Sequence, residues 1–352
     1  MKNRLYAKSE TSIKINSEVS DFAQPQGSCK SDFLLQHGII SALPIIVSLL
    51  IIAQYLLVPN FREFTPIDQN APTNAFVWFM GAFAVLFFVW YVAGFFSQRA
   101  AEALRSRTPI ITVAFLLLLA YDWATLSTGL LPQPFVPWPD AILNAIIRDR
   151  EILLRSVWHS LRLLFTGYGI GVALGIITGV SAGRSAKIRY WIQPLIKVLG
   201  SIPAVTWLPV ILVLASSLFQ GAVFLIALAV WYPVTSTTMH GVLNVPKGTF
   251  EAASTFGVSK LGMIFKVAIP ASSPFIFQGL TQGMSIACTA LLIAELMGVE
   301  AGLGWYINWQ RGWADFAGMY AAVVIIAVTF FAVNVALNLI KRRVLRWKDE
   351  VV

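Results

Sequence analysis

Between residues 38 and 340 the chain alternates long apolar runs with short polar breaks that carry proline, glycine or basic residues. A helix needs about 20 mainly apolar residues to cross the hydrocarbon core of a bilayer. Eight runs meet or approach that length, at 38–58, 75–96, 108–131, 157–180, 204–218, 222–240, 272–299 and 318–340. The pattern predicts an all-α, polytopic membrane bundle of about eight helices. The run at 204–218 is short, and Pro194, Pro203 and Pro209 interrupt its surroundings, which predicts a broken or partly re-entrant helix packed inside protein. The first run follows 37 mostly polar residues, too long an n-region for a secretory signal, so it reads as a retained span. The tail at 1–37, rich in Ser, Lys, Asn and Gln, is expected to be disordered.

Composition agrees with the pattern. Of 352 residues 57% are hydrophobic and 12% charged, and mean hydropathy is +0.72, far from a soluble chain of this length. The net charge of +9 raises nucleic acid as a partner, but in a membrane protein excess Lys and Arg marks cytoplasmic loops, so no nucleic acid is expected. Placing both termini inside collects Lys2, Arg4, Arg99, Arg105, Arg107, Arg184, Lys187, Arg189, Lys341, Arg342 and Arg343 on the cytoplasmic side. Arg148, Arg150 and Arg155 fall opposite, offset locally by Asp149 and Glu151. Cys29 and Cys288 lie in unlike surroundings and have no metal-ligand spacing, so neither a disulfide nor a metal site is expected.

One polar break has an internal design. It reads EAASTFGVSKLGMIFKVAIP from residue 251 and falls on the predicted cytoplasmic side. Pro246 suits a helix start. Phe250, Ala253 and Gly257 share a helical face, and Gly257 can close that helix in a left-handed cap. Ser259 can cap a second helix, in which Leu261, Ile264, Phe265 and Ala268 form an apolar stripe and which Pro270 is expected to end. Ala252 and Ala253 at the exposed corner would let another surface approach closely. The shape predicts a hairpin that plugs into a partner.

Glu251, Ala252, Ala253, Gly257, Val267, Ile269 and Pro270 together resemble the EAA loop of ATP-binding-cassette (ABC) importer permeases. The stretches at 130–143, 159–179, 192–210 and 294–307 are similar to the nitrate, bicarbonate, sulfonate and taurine branch of that family. The resemblance implies a type I importer permease fold, with a permease domain at 108–340, its coupling loop at 244–270, two additional helices within 38–107 and a basic tail at 341–352. It also implies two permease copies, two ATPase subunits that bind ATP and Mg, an external substrate-binding protein, and an inner-membrane location. This chain would then hold no cofactor and catalyse nothing. Where many relatives carry a Trp-Phe-Gly type segment, this chain has VLASSLFQGA at 213–222.

Ser201 and Thr206, beside the Pro203 break, are candidate pathway residues, since unwound backbone is where polar lining belongs. Glu295 is a further candidate, because ionisable groups in spans are costly and often functional. Gly167, Gly169, Gly171, Gly175 and Gly179 read as a close helix-packing surface, with no strand or Lys-Ser/Thr to make a phosphate loop. Asp122 reads as a packed or interfacial residue. The competing function is a secondary transporter driven by an ion gradient, which should bury paired charges mid-span. The chain offers few such residues, and no nucleophile elbow or His cluster that would make a membrane enzyme.

Overall fold

The computed structural model describes residues 30–60, 72–132 and 134–346, with side chains from residue 41 onward and excepting Leu212. The expected tail at 1–37 lies outside these residues up to 29, and helix α1 (Lys30–Leu57) already occupies 30–37. Residues 347–352 of the basic tail also lie outside them.

The chain divides into two compact units. One comprises residues 1–133 with 138–140, the other residues 134–137 with 141–352. In the first, α1, α2 (Ala75–Phe96) and α3 (Gln98–Asp122, continued by a π-helical turn Trp123–Ser127) pack against one another. Ile51, Met80 and Leu104 are fully buried there, and Phe83 and Phe87 meet Phe115 edge-on. Gln54 Nε2 donates to Asp122 Oδ2 at 3.2 Å, and the Asp140 carboxylate accepts from the backbone N–H of Thr73 and Phe76 at 2.7 and 2.8 Å. Asp122 is buried, as its reading as a packed residue requires.

The second unit holds α4 (Pro139–Arg148, whose first turn contains the boundary), α5 (Arg150–Arg184), α6 (Ala186–Ser201) and α7 (Leu208–Leu214). They are followed by α8 (Leu218–Leu243), α9 (Lys247–Thr255), α10 (Lys260–Met297), α11 (Leu303–Gly312) and α12 (Phe316–Val344). Its centre is the α5–α8–α10 contact. Inside a bilayer, lipid tails are as apolar as leucine, so helices gain little by hiding apolar area and associate through tight packing instead. α5 answers this with Gly167, Gly171, Gly175, Gly179 and Gly183 on one face. A Cβ on any of them would come within 2.6–2.7 Å of α8 at Ile226, Ala227, Thr238 or Val242, or 2.8 Å at Val234. Gly169, off that face, would meet nothing. The packing reading of these glycines is thus correct, with Gly183 in the row in place of Gly169.

The predicted break is present but organised differently. The helix expected over 204–218 is instead the end of a hinged pair, α6 and the segment Ala204–Ile211, bent by 93°. Ile202 is extended, as a residue before proline tends to be, and Pro203 follows at φ −54°, ψ 131°. A 3₁₀ turn, Ala204–Trp207, closed by Thr206 N–H on the Pro203 carbonyl at 3.0 Å, then leads into α7. α7 stops at Leu214 because Ala215 is extended and Ser217 starts α8, its Oγ accepting from Gln220 N–H. Among the described residues six helices are long and apolar enough to cross a membrane, seven with the bent pair, and α1 contributes a shorter apolar stretch, Ser41–Leu57. The count of eight spans is therefore not reached on length and composition.

Candidate functional site

The polar break after α8 folds as a hairpin. Pro246 precedes α9, which ends in a Schellman arrangement: Val258 N–H bonds the Ala253 carbonyl at 3.1 Å and Gly257 N–H bonds that of Ser254 at 2.9 Å. Gly257 has φ +71°, and a Cβ there would touch nothing, so the requirement for glycine is one of backbone conformation alone. Ser259 Oγ then accepts from Gly262 N–H at 3.1 Å and starts α10.

Here the structure corrects the expected end of the second helix. Pro270 does not terminate it. Met263–Ala268 form a π-helical turn, closed by Ile269 N–H on the Ile264 carbonyl, and the helix continues through Pro270 to Met297. The wider turn removes the clash that a proline ring makes with the carbonyl four residues back in a regular α-helix. It also changes the phase of the apolar stripe. Ile264 and Ala268 turn inward, joining Val180, Val242 and Phe250 in a small core, while Leu261 and Phe265 face out. Arg184, at the end of α5, lies over the Phe250 ring at 5.3 Å. The hairpin is thus fastened to α5 and α8 from behind, and its tip displays Glu251, Ala252, Leu261, Phe265 and an 88% exposed Phe256.

The candidate pathway residues divide. Ser201 and Thr206 are exposed on either side of Pro203, and the 3₁₀ turn packs on α8 and α10. Ser201 Oγ donates to the Lys197 carbonyl at 2.7 Å. Along α10, Gln278, Gln282, Ser285 and Thr289 form an exposed polar row at helical spacing. The Ser285 and Thr289 hydroxyls donate to carbonyls one turn back, leaving their lone pairs outward. A polar row on a spanning helix fits a wet cavity or a protein contact far better than lipid. The row lies wholly within the run predicted at 272–299, so its period is present in the sequence, and the structure adds that these four positions share the exposed face.

Glu295 sits elsewhere. It is 1% exposed, accepts from Ser160 Oγ at 2.7 Å and from Gly304 N–H at 2.9 Å, and Ser160 Oγ in turn accepts from Leu303 N–H at 2.9 Å. Gly302, at φ +119°, lies so close that a Cβ would overlap the Glu295 carboxylate. In this chain the carboxylate holds the start of α11.

A second polar cluster escaped sequence reasoning. Arg148 pairs with both Asp149 and Asp315, and Asp149 Oδ2 also accepts from Tyr306 OH at 2.6 Å and Gln310 Nε2 at 3.1 Å. Burial acts to raise the Asp149 pKa, but the Arg148 and Tyr306 hydrogen bonds outweigh it and hold the group below its ordinary value. Burial and the bond to Asp149 push Tyr306 up. The cluster ties the α4–α5 junction to α11 and to the Asp315 cap of α12. Its members are 157 or more residues apart across the two halves, beyond any local signal. Among the described residues no group of three or more His, Cys, Asp or Glu side chains is placed to hold a metal.

Comparison with known proteins places these features. A profile of the family described as binding-protein-dependent transport system inner membrane component matches residues 171–348. The chain is 26% identical over 254 residues to the taurine transport system permease protein of Escherichia coli (strain K12), covering 70% of this chain and 92% of that one. It is 28% identical over 183 residues to a putative aliphatic sulfonates transport permease protein of Bacillus subtilis (strain 168), covering 52% and 66%. It is also 26% identical over 208 residues to the nitrate import permease protein of Leptolyngbya laminosa, covering 58% and 75%. An inward-facing structure of a methionine ABC transporter aligns with 56% of this chain and 98% of its own, at 20% identity and a TM-score of 0.49.

Proposed function

This chain belongs to the family of binding-protein-dependent transport system inner membrane components, and from that membership we propose that it carries a small anionic solute inward and is driven by ATPase subunits seated on the hairpin at 244–270. It is the membrane-spanning permease subunit of an ABC importer, a transport component and not a catalytic one. The hairpin carries the coupling proposal. Its tip exposes Phe256, Leu261 and Phe265 beside the small Ala252, a surface with no function in an isolated chain. Behind the tip, the small core around Val180 and Val242 joins the hairpin to α5 and α8, a route by which a displacement could be passed on. Glu251, Ala252, Ala253 and Gly257 form and shape the contact, while Ile269 and Pro270 set the path into α10. A second permease copy, two ATPase subunits and an external binding protein complete the assembly, with both termini in the cytoplasm.

An anion is favoured on two grounds. The polar row on α10 offers amide and hydroxyl groups without a fixed positive charge, enough to hold a small oxyanion by hydrogen bonds while letting it leave. The relatives are named for taurine, aliphatic sulfonates and nitrate, solutes that share a sulfonate or nitrate oxyanion group. Ser201 and Thr206, exposed on either side of Pro203, would belong to the same pathway in this reading. A gradient-driven carrier fits less well, since Glu295, the carboxylate buried in the second unit, is engaged by Ser160 and Gly304.

Gly257→Leu tests the coupling. A left-handed cap costs a residue with a side chain about 1 kcal/mol or more, and leucine adds bulk toward the partner. The variant is expected to insert normally yet lose ATPase co-purification and most uptake, and Glu251→Ala is expected to lose less. Full uptake and full co-purification by Gly257→Leu would show that the hairpin is not the coupling element.

A further inference from the structure

The α5–α8 contact opens, on one side, into an apolar groove of about 590 Å³. Ile170 and Leu174 of α5 and Val223, Phe224, Leu228 and Trp231 of α8 form its walls. The Trp231 indole N–H donates to Thr178 Oγ1 at 3.1 Å, so Trp231 keeps no free donor for a polar ligand. One end differs in character. Phe219, Gln220 and Thr166 line it, and the Arg162 guanidinium lies over the Phe219 ring at 5.7 Å. Arg162 is exposed and has no acidic partner among the described residues.

We propose that this groove binds an anionic phospholipid, with one acyl chain lying between α5 and α8 and the headgroup phosphate against Arg162. Length supports the assignment. Arg162 to Leu174 is twelve residues, about 18 Å along a helix, close to the ~15 Å depth of one leaflet's hydrocarbon. Charge supports it too. The cation stands at one end only, beside the α8 N-terminus, where Gln220 and Thr166 add polar contacts at headgroup level. Arginine recognises phosphate through a planar, multi-donor fork, and its stacking on Phe219 orders that fork in advance. A solute on the transport path would meet a row of amides and hydroxyls; this groove instead presents hydrocarbon walls under a single charge.

The test uses the full chain, purified in detergent and exchanged into an equimolar mixture of phosphatidylglycerol and phosphatidylcholine. Retained lipid is read by native mass spectrometry. Phosphatidylglycerol is expected to be held in preference, and Arg162→Gln to reduce that preference by about fivefold, the effect of one basic side chain on an anionic lipid. Leu228→Trp fills the groove and leaves the charge in place, so it should expel the lipid while Arg162 is intact. Arg311→Gln, which removes an exposed arginine on α11, should change nothing. Equal retention of the two lipids, or retention indifferent to both groove variants, overturns the proposal. So does spontaneous disulfide formation between two copies of an Ile170→Cys chain lacking its other cysteines, because the groove would then be covered by a second copy of this chain.

Discussion

Glu295 shows what a single buried carboxylate does here. Two donors converge on it from segments far apart in sequence, and Gly302 is left with no room for a side chain beside it. Removing the acceptor in Glu295→Ala leaves the Ser160 hydroxyl and the Gly304 N–H buried without it, at a cost of about 2–6 kcal/mol for the two groups. The expected result is a clear drop in the thermal unfolding midpoint of the purified chain. Glu295→Gln keeps one acceptor oxygen and should lose less. A Glu295→Ala protein as stable as the parent but unable to transport would instead return Glu295 to the pathway. Sequence suggested a functional residue because a carboxylate in a span is costly; its partners Ser160 and Gly304 were invisible because 135 residues separate the first pair. Gly257 was legible for the opposite reason. A left-handed cap is a local event, and the residues from Ala253 to Ser259 contain all of its chemistry.

At the level of elements, periodicity identified most spans, and the errors cluster at prolines. Pro203 reads as a break in the sequence and is one in the structure, whereas the basic residues Lys187, Arg189 and Lys197 mask the amphipathic helix α6 on its N-terminal side. Pro270 reads as a stop in the sequence, and the π-helical turn before it makes it a point of passage. The α5 glycines allow a sharp test of element packing. Gly171→Leu places a side chain where even a Cβ would lie 2.6 Å from the Ala227 carbonyl, and overpacking of this sort costs about 1–3 kcal/mol or more. Gly169→Ala meets open space and should be close to neutral. Thermal melts of the two variants should separate clearly; equal midpoints would mean that α5 and α8 do not approach as described.

For the whole molecule, the basic residues predict orientation and the helices supply the crossings. In a chain lacking Cys29 and Cys288, a cysteine at Lys260 is expected to react only with reagents that enter the cytoplasm, and one at Trp309 with reagents outside. Labelling of both from one side would invert or break the proposed topology.

The uninterrupted α10 also has a mechanical consequence. Its 38 residues, about 57 Å long, run from the hairpin tip to the Glu295 anchor as a single strut. A strut pinned at mid-length by Gly279 and Gly283 against α8 behaves as a balance beam. To the extent that the beam stays stiff, a tilt at Lys260 is expected to reappear, reversed in direction, toward Met297. The π-helical turn at Met263–Ala268 and the prolines Pro270 and Pro274 lie between the hairpin tip and the contact with α8, so the stiffness of this short stretch bears on how much of a stroke at the tip is passed on.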